Sequence, residues 1–235
     1  MIMNQVVSGG GSAPVGLYRE FQLDGTGRLI PNLTTTHIMD FTGMTDVFGY
    51  SLAYAYFANR AITGAVDMSD LTTISGNSSC NNTFYGCTGL ISIDLSSLTT
   101  ITGNSACSSM FSGCTGITSA DMSSLTTISG SNACGYMFQG CTGITSANLS
   151  ALATVTGSGA FQQMFTNCQS LATVYIGGTT AIDFGTRTNQ FTTMFSGCTQ
   201  NIDVYAPAAN QTAIEAFSGY PNFGGTGTVT WHWRS

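Results

Sequence analysis

The sequence predicts an α/β solenoid, a stack of about six 27-residue strand-turn-helix coils with a cap at each end. Two observations carry this expectation. Phe84, Phe111, Phe138 and Phe165 sit in the related segments TFYGCTGL, MFSGCTGI, MFQGCTGI and MFTNCQSL at intervals of 27 residues, with Phe57 27 upstream and Phe195 30 downstream. Within each interval the spacing of apolar residues switches from three and four to two, the change that accompanies passage from a helical turn to a strand.

Taken in chain order, residues 1–16 are small, polar and glycine-rich and read as a flexible arm. Residues 17–44 read as an N-terminal cap, because Leu17 to Leu23 can pair with Arg28 to Leu33 across Asp24-Gly25-Thr26-Gly27. The repeats fill residues 45–206. In one unit Cys107, Met110, Phe111 and Cys114 fall at i, i+3, i+4 and i+7, which predicts one face of a short helix ending near Gly116. Ala120-Asp121-Met122 then alternates in-out-in as a short strand, and Leu125 and Ile128 follow at intervals of three. Such a coil cannot bury its apolar side alone; a stack of them can. Residues 207–235 read as a C-terminal cap. Pro207 suits the first turn of a helix running to about Phe217, and Thr228 to Trp233 alternates like a strand with Val229, Trp231 and Trp233 on one face.

The run L-x-x-I-x-L-x-x-L-x-x-I from Leu90 to Ile101, followed by Phe111-x-x-Cys114, resembles the BspA-like class of leucine-rich repeats, over about residues 45 to 220. The resemblance implies a leucine-rich-repeat-like stack, a role in adhesion or protein binding, and a place on a bacterial surface or among phage-encoded proteins. Two departures stand out. The place where such repeats carry Asn or Cys holds Leu98, Leu125 and Leu152, so no asparagine ladder is expected there. The unit is also longer than usual, with extra residues such as Gly103 to Ala106 ahead of the expected helix.

Composition removes several functions. Five Lys+Arg, all arginine, and eleven Asp+Glu make up only 7% of the chain and leave a net charge of −6. A nucleic-acid partner needs clustered bases to displace counterions, and this chain has none. The richest apolar window, Val47 to Ala58, stops at Asn59 and Arg60, short of the roughly 20 residues a membrane span requires. No basic leader precedes an apolar stretch at the start, so no secretory peptide is expected. Without lysine, Schiff-base chemistry is excluded. There is no G-x-S-x-G, P-loop or H-E-x-x-H, and His37 and His232 lie one in each flank. No enzyme activity and no cofactor are expected.

Cys80/Cys87, Cys107/Cys114 and Cys134/Cys141 are each seven apart, while Cys168 and Cys198 pair with Phe161 and Phe191. A position that accepts Cys or Phe is an apolar packing site, so reduced, stacked core thiols are expected. Zinc spacing is missing. The residues expected to bind are an outward strand stripe of Asp67, Asp94, Asp121, Asn148 and Tyr175, continued after a two-residue deletion by Asp203. The stripe reads as a solvated strand face, or as a weak site for calcium at Asp67, Asp94 and Asp121, or for a cationic partner. Tyr54, Tyr56, Tyr85, Tyr136 and Tyr175 add the composition of an adaptable recognition surface. The expected work is recognition of a protein or glycan, or structural display, on a virion or cell surface. An intracellular protein-binding scaffold is the alternative.

Overall fold

The computed structural model describes residues 21–23, 29–31, 39–40, 63–186 and 189–235. The expected arm, the first repeat around Phe57, and His37, Tyr54 and Tyr56 lie outside these residues. β1 (Phe21–Leu23) and β2 (Leu29–Pro31) pair antiparallel with Phe21 opposite Pro31, within the bounds of the expected hairpin. β3 (Met39–Asp40) then pairs in parallel with β4 (Thr63–Asp67).

From β4 to β11 each circuit of the chain contributes a strand to one wall and a two-residue strand to the next. The pairs are β4 and β5 (Thr73–Ile74), β6 (Gly89–Asp94) and β7 (Thr100–Ile101), β8 (Ser119–Asp121) and β9 (Thr127–Ile128), then β10 (Ser146–Leu149) and β11 (Thr154–Val155). β12 (Thr173–Ile176), β13 (Ile202–Pro207) and, after a short helix α1 (Gln211–Glu215), β14 (Val229–Arg234) complete the first wall. That wall consists of two parallel sheets, β3-β4-β6 and β8-β10-β12-β13-β14; the second wall is β5-β7-β9-β11. The chain is therefore a parallel β-solenoid of about six turns.

The third wall corrects the α/β expectation. Residues 103–114 form no helix. The N–H groups of Ser105, Cys107, Ser109, Phe111 and Gly113 donate to the carbonyls of Ser131, Ala133, Gly135, Met137 and Gln139 in the next coil, at 2.7–2.9 Å. The alternate N–H groups of Ala106, Ser108, Met110, Ser112 and Cys114 close turns onto carbonyls three residues back. Every fourth residue takes a left-handed φ: Ser105 (50°), Ser109 (54°) and Gly113 (76°), then Asn132, Tyr136 and Gly140 a coil later. A right-handed helix tolerates none of these. The spacing i, i+3, i+4, i+7 fits a period of four as well as 3.6 over eight residues, and the intervening Ser, Asn and Gly prefer turns to helix interiors. The strand-turn-helix coil of leucine-rich repeats is replaced by strand, strand and turn ribbon.

The recurring phenylalanines form one interior column. Phe84, Phe111, Phe138, Phe165 and Phe195 are fully buried. Their rings stack at successive centroid distances of 5.4, 5.5, 5.8 and 6.4 Å. Phe161 and Phe191 stack at 5.6 Å, in the positions held by Cys80, Cys107 and Cys134 in earlier coils. All eight cysteines are buried, and none forms a disulfide. Burial lifts the Cys134 thiol to about 12 and that of Cys198 to about 11.

Leu98, Leu125 and Leu152 are buried, as expected of the position that replaces asparagine. Asparagine stitching nevertheless occurs elsewhere. Asn77 Oδ1 accepts the Asn104 N–H at 2.8 Å, and Asn104 Oδ1 accepts that of Ser131 at 2.9 Å, beside the extra residues of the long unit. On the second wall Thr99 Oγ1 donates to the Thr72 carbonyl and Thr126 Oγ1 to that of Thr99. Adjacent coils also touch through glycine: a Cβ on Gly103, Gly130 or Gly157 would collide with the carbonyl oxygen of the glycine one coil earlier.

The end segment holds a helix shorter than expected, stopping at Glu215. Buried Asn210 ties it to the body, accepting the Ile182 N–H at 2.7 Å and donating to the Ile182 carbonyl at 2.8 Å. On β14, Trp231 and Trp233 share the inner face with buried Val229 and stack on each other at 5.5 Å. Trp231 Nε1 donates to the Pro221 carbonyl.

Candidate binding face

Strand register on the first wall places the stripe residues in rows. Parallel pairing sets Asp67 opposite Asp94, and separately sets Asp121, Asn148, Tyr175, Tyr205 and His232 in one row. Successive strands keep this row in register because Ala120, Ala147, Val174 and Val204 are each buried one residue before it.

Asp203 is not in that row. It pairs with Thr173 and Thr230, and Tyr205 takes the place opposite Tyr175. The expected two-residue deletion does not occur: the 30-residue step from Phe165 to Phe195 carries through to the strand, since Tyr205 also follows Tyr175 by 30. Buried Ile202, Val204 and Ala206 keep Asp203 and Tyr205 both outward, one pleat apart.

The acidic part of the row has a local reason to exist. Asp94 Oδ1 accepts the Ser96 N–H at 2.9 Å, and Asp121 Oδ1 accepts that of Ser123 at 3.0 Å. Asn148 Oδ1 does the same for Ser150 at 3.2 Å. Each side chain closes the corner that follows its strand, a turn that Asp and Asn make equally well. Among the described residues, no group of three or more His, Cys, Asp or Glu side chains is placed to hold a metal ion.

The aromatic part is more elaborate. Tyr175 stacks on Tyr205 at 5.0 Å and Tyr205 on His232 at 4.6 Å. His232 Nε2 lies 2.8 Å from Asp203 Oδ1, which fixes the imidazole from the side. The Arg234 guanidinium lies 5.6 Å from the Tyr175 ring centre and donates to the Gly177 carbonyl. Tyr205, His232 and Arg234 are absent from the sequence-based stripe. The signal that places two of them is the repeat itself: Tyr205 follows Tyr175 by 30 residues, like Phe195 after Phe165, and His232 follows Tyr205 by 27.

The wall has one interruption. β6 ends one sheet and β8 begins the next, with no ladder between them. β6 carries a bulge against β4, where Gly64 pairs with Leu90 and Ala65 with Ser92, leaving Ile91 without a partner and 56% exposed. Ile93 beyond it is half-buried, whereas the corresponding Val66, Ala120, Ala147 and Val174 are fully buried.

No family model, curated protein or solved structure matches this chain.

Proposed function

We propose that this chain is a non-enzymatic recognition or display module that binds a protein or glycan through the outer face of its first wall. The observation that carries this reading is the row Asp121, Asn148, Tyr175, Tyr205 and His232, with Asp203 and Arg234 beside it. Stacked aromatic edges, hydroxyls, a carboxylate and a guanidinium on rigid strands are the components of an adaptable recognition surface. Coil-on-coil stacking supplies the rigidity, because every rung is held by its neighbours.

The setting we propose is display on a virion or cell surface for host attachment or adhesion. The eight buried thiols, none in a disulfide, favour a second setting, a scaffold in a reducing compartment, because cytosolic thiols stay reduced. Fractionation of the native source separates the two. Immobilised protein screened against glycan and surface-protein arrays tests the reading itself. Tyr205→Ala should weaken any ligand so found at least tenfold, with a loss of stability of only about 1–3 kcal/mol for its two ring contacts. An unchanged ligand profile would overturn the assignment of the face.

A further inference from the structure

We propose that the groove beside the β6 bulge docks one long cationic side chain, lysine or arginine, presented by a protein partner. The proposal rests on the recognition reading of the first wall and names the chemistry at one place on it.

The groove follows from the bulge. With Ile91 pushed outward and β6 parted from β8, the strand edges leave an open cavity of about 490 Å³ lined by Ala65, Val66, Ser92, Ile93, Asp94, Ser96 and Asp121. That volume lies within the range of small-ligand sites, roughly 300–1,000 Å³. Its open form suits a side chain laid into it better than an enclosed molecule. Ala65, Val66 and Ile93 are its apolar residues, and Asp94 and Asp121 supply all of its formal charge.

Those two carboxylates decide the occupant. Each commits Oδ1 to its own corner, to Ser96 or Ser123, and keeps its second oxygen. Among the described residues neither is within ion-pair distance of a basic side chain. An acidic or neutral side chain would leave this charge unanswered. A lysine or arginine lays its methylenes over Ile93 and Ala65 and carries its charge to the carboxylates, the division of labour natural to these side chains. The chain's net charge of −6 steers such a partner inward.

The test uses tri-lysine and tri-glutamate as probes, followed by amide chemical shifts of the whole chain. Tri-lysine should move the amides of residues 92–96 and 121, and the effect should fade as salt rises above about 0.15 M; tri-glutamate should move none of them. D94N/D121N should bind tri-lysine at least tenfold more weakly with its melting temperature unchanged, because Asn148 shows that asparagine closes the same corner. Ser92→Lys, which brings a cation to the groove from within, should also exclude tri-lysine and guards against a folding defect in the double variant. Shifts scattered over the surface, or retained in D94N/D121N, overturn the proposal. An array ligand lost on Tyr205→Ala alongside a silent tri-lysine titration removes the groove and leaves the recognition face standing. A parent chain without any array ligand removes the face reading, and the tri-lysine result still decides the groove.

Discussion

The thiol of Cys114 donates to the carbonyl oxygen of Phe84 at 3.0 Å, thirty residues earlier and one coil away. Cys141 does the same to Phe111, Cys168 to Phe138 and Cys198 to Phe165. The stacked rings and the stacked thiols are thus one unit, with each sulfur lying against the backbone of a ring in the coil before.

Chemistry at these thiols should follow unfolding. A thiol reagent should label essentially none of the eight in native protein and all of them in denaturant. Rapid native labelling would contradict the buried column.

The same burial gives stability a pH dependence. Cys134 and Cys198 titrate at about 12 and about 11 in the fold, against a usual 9.0. Above that usual value the unfolded chain has shed protons that the folded chain retains, so the unfolded state is favoured as pH rises. Stability should be level below about pH 8 and fall by roughly 1.4 kcal/mol per pH unit per thiol as the pH climbs through 9 towards the folded values. Urea midpoints taken across this range check it; a flat profile contradicts it.

Phe138 has a ring on either side, at 5.5 and 5.8 Å. Phe138→Ala should cost about 3–5 kcal/mol in urea unfolding, because it opens a cavity in the middle of the column. A loss below about 1 kcal/mol would mean that neighbouring coils collapse into the space.

Gly130 abuts the carbonyl oxygen of Gly103, and a methyl group there meets backbone that cannot turn aside. Gly130→Ala should cost about 1–3 kcal/mol as overpacking. Gly178→Ala serves as the control: its nearest neighbour is the Ser150 carbonyl at 3.4 Å, and its expected change is within about 0.5 kcal/mol.

At Asp94 the corner hydrogen bond separates two substitutions. Asp94→Ala removes the acceptor for the Ser96 N–H and should cost about 0.5–1.5 kcal/mol, while Asp94→Asn should be near neutral. Thermal melts of both variants decide. Equal effects would show that charge, and not the corner, is what the position contributes.

The stack, its in-and-out sense and the phenylalanine column were legible because a 27-residue recurrence and two-residue alternation are direct readouts of coil length and strand pleat. The turn ribbon was not, because Cys107, Met110, Phe111 and Cys114 satisfy helical spacing equally well. The distinguishing sign was the small or turn-prone residue at every fourth position, Ser105, Ser109 and Gly113, where the backbone turns left-handed. On the outer face of the first wall, Asp94, Asp121, Asn148 and Tyr175 were read from one coil to the next. Asp203 was misplaced by assuming that an insertion in the turn wall is cancelled before the strand. The opening beside Ile93 had no sequence signal, since β6 and β8 belong to units of equal length and the bulge arises from pairing across to Gly64.

Along the turn wall the ladder of backbone hydrogen bonds, from Ser78 to Asn104 through to Phe195 and Phe223, runs from an earlier coil to a later one. Peptide dipoles aligned in this manner add up, so this wall has an electrical polarity along the axis, opposed by the second wall, where Thr102 and Ser129 donate back to Ile74 and Ile101. On the turn wall each rung offers donors to the next coil and acceptors to the one before, so the stack extends in a single orientation. Duplicating or excising a whole rung leaves both poles as they were, a modular route by which such a molecule changes its reach without redesigning its ends.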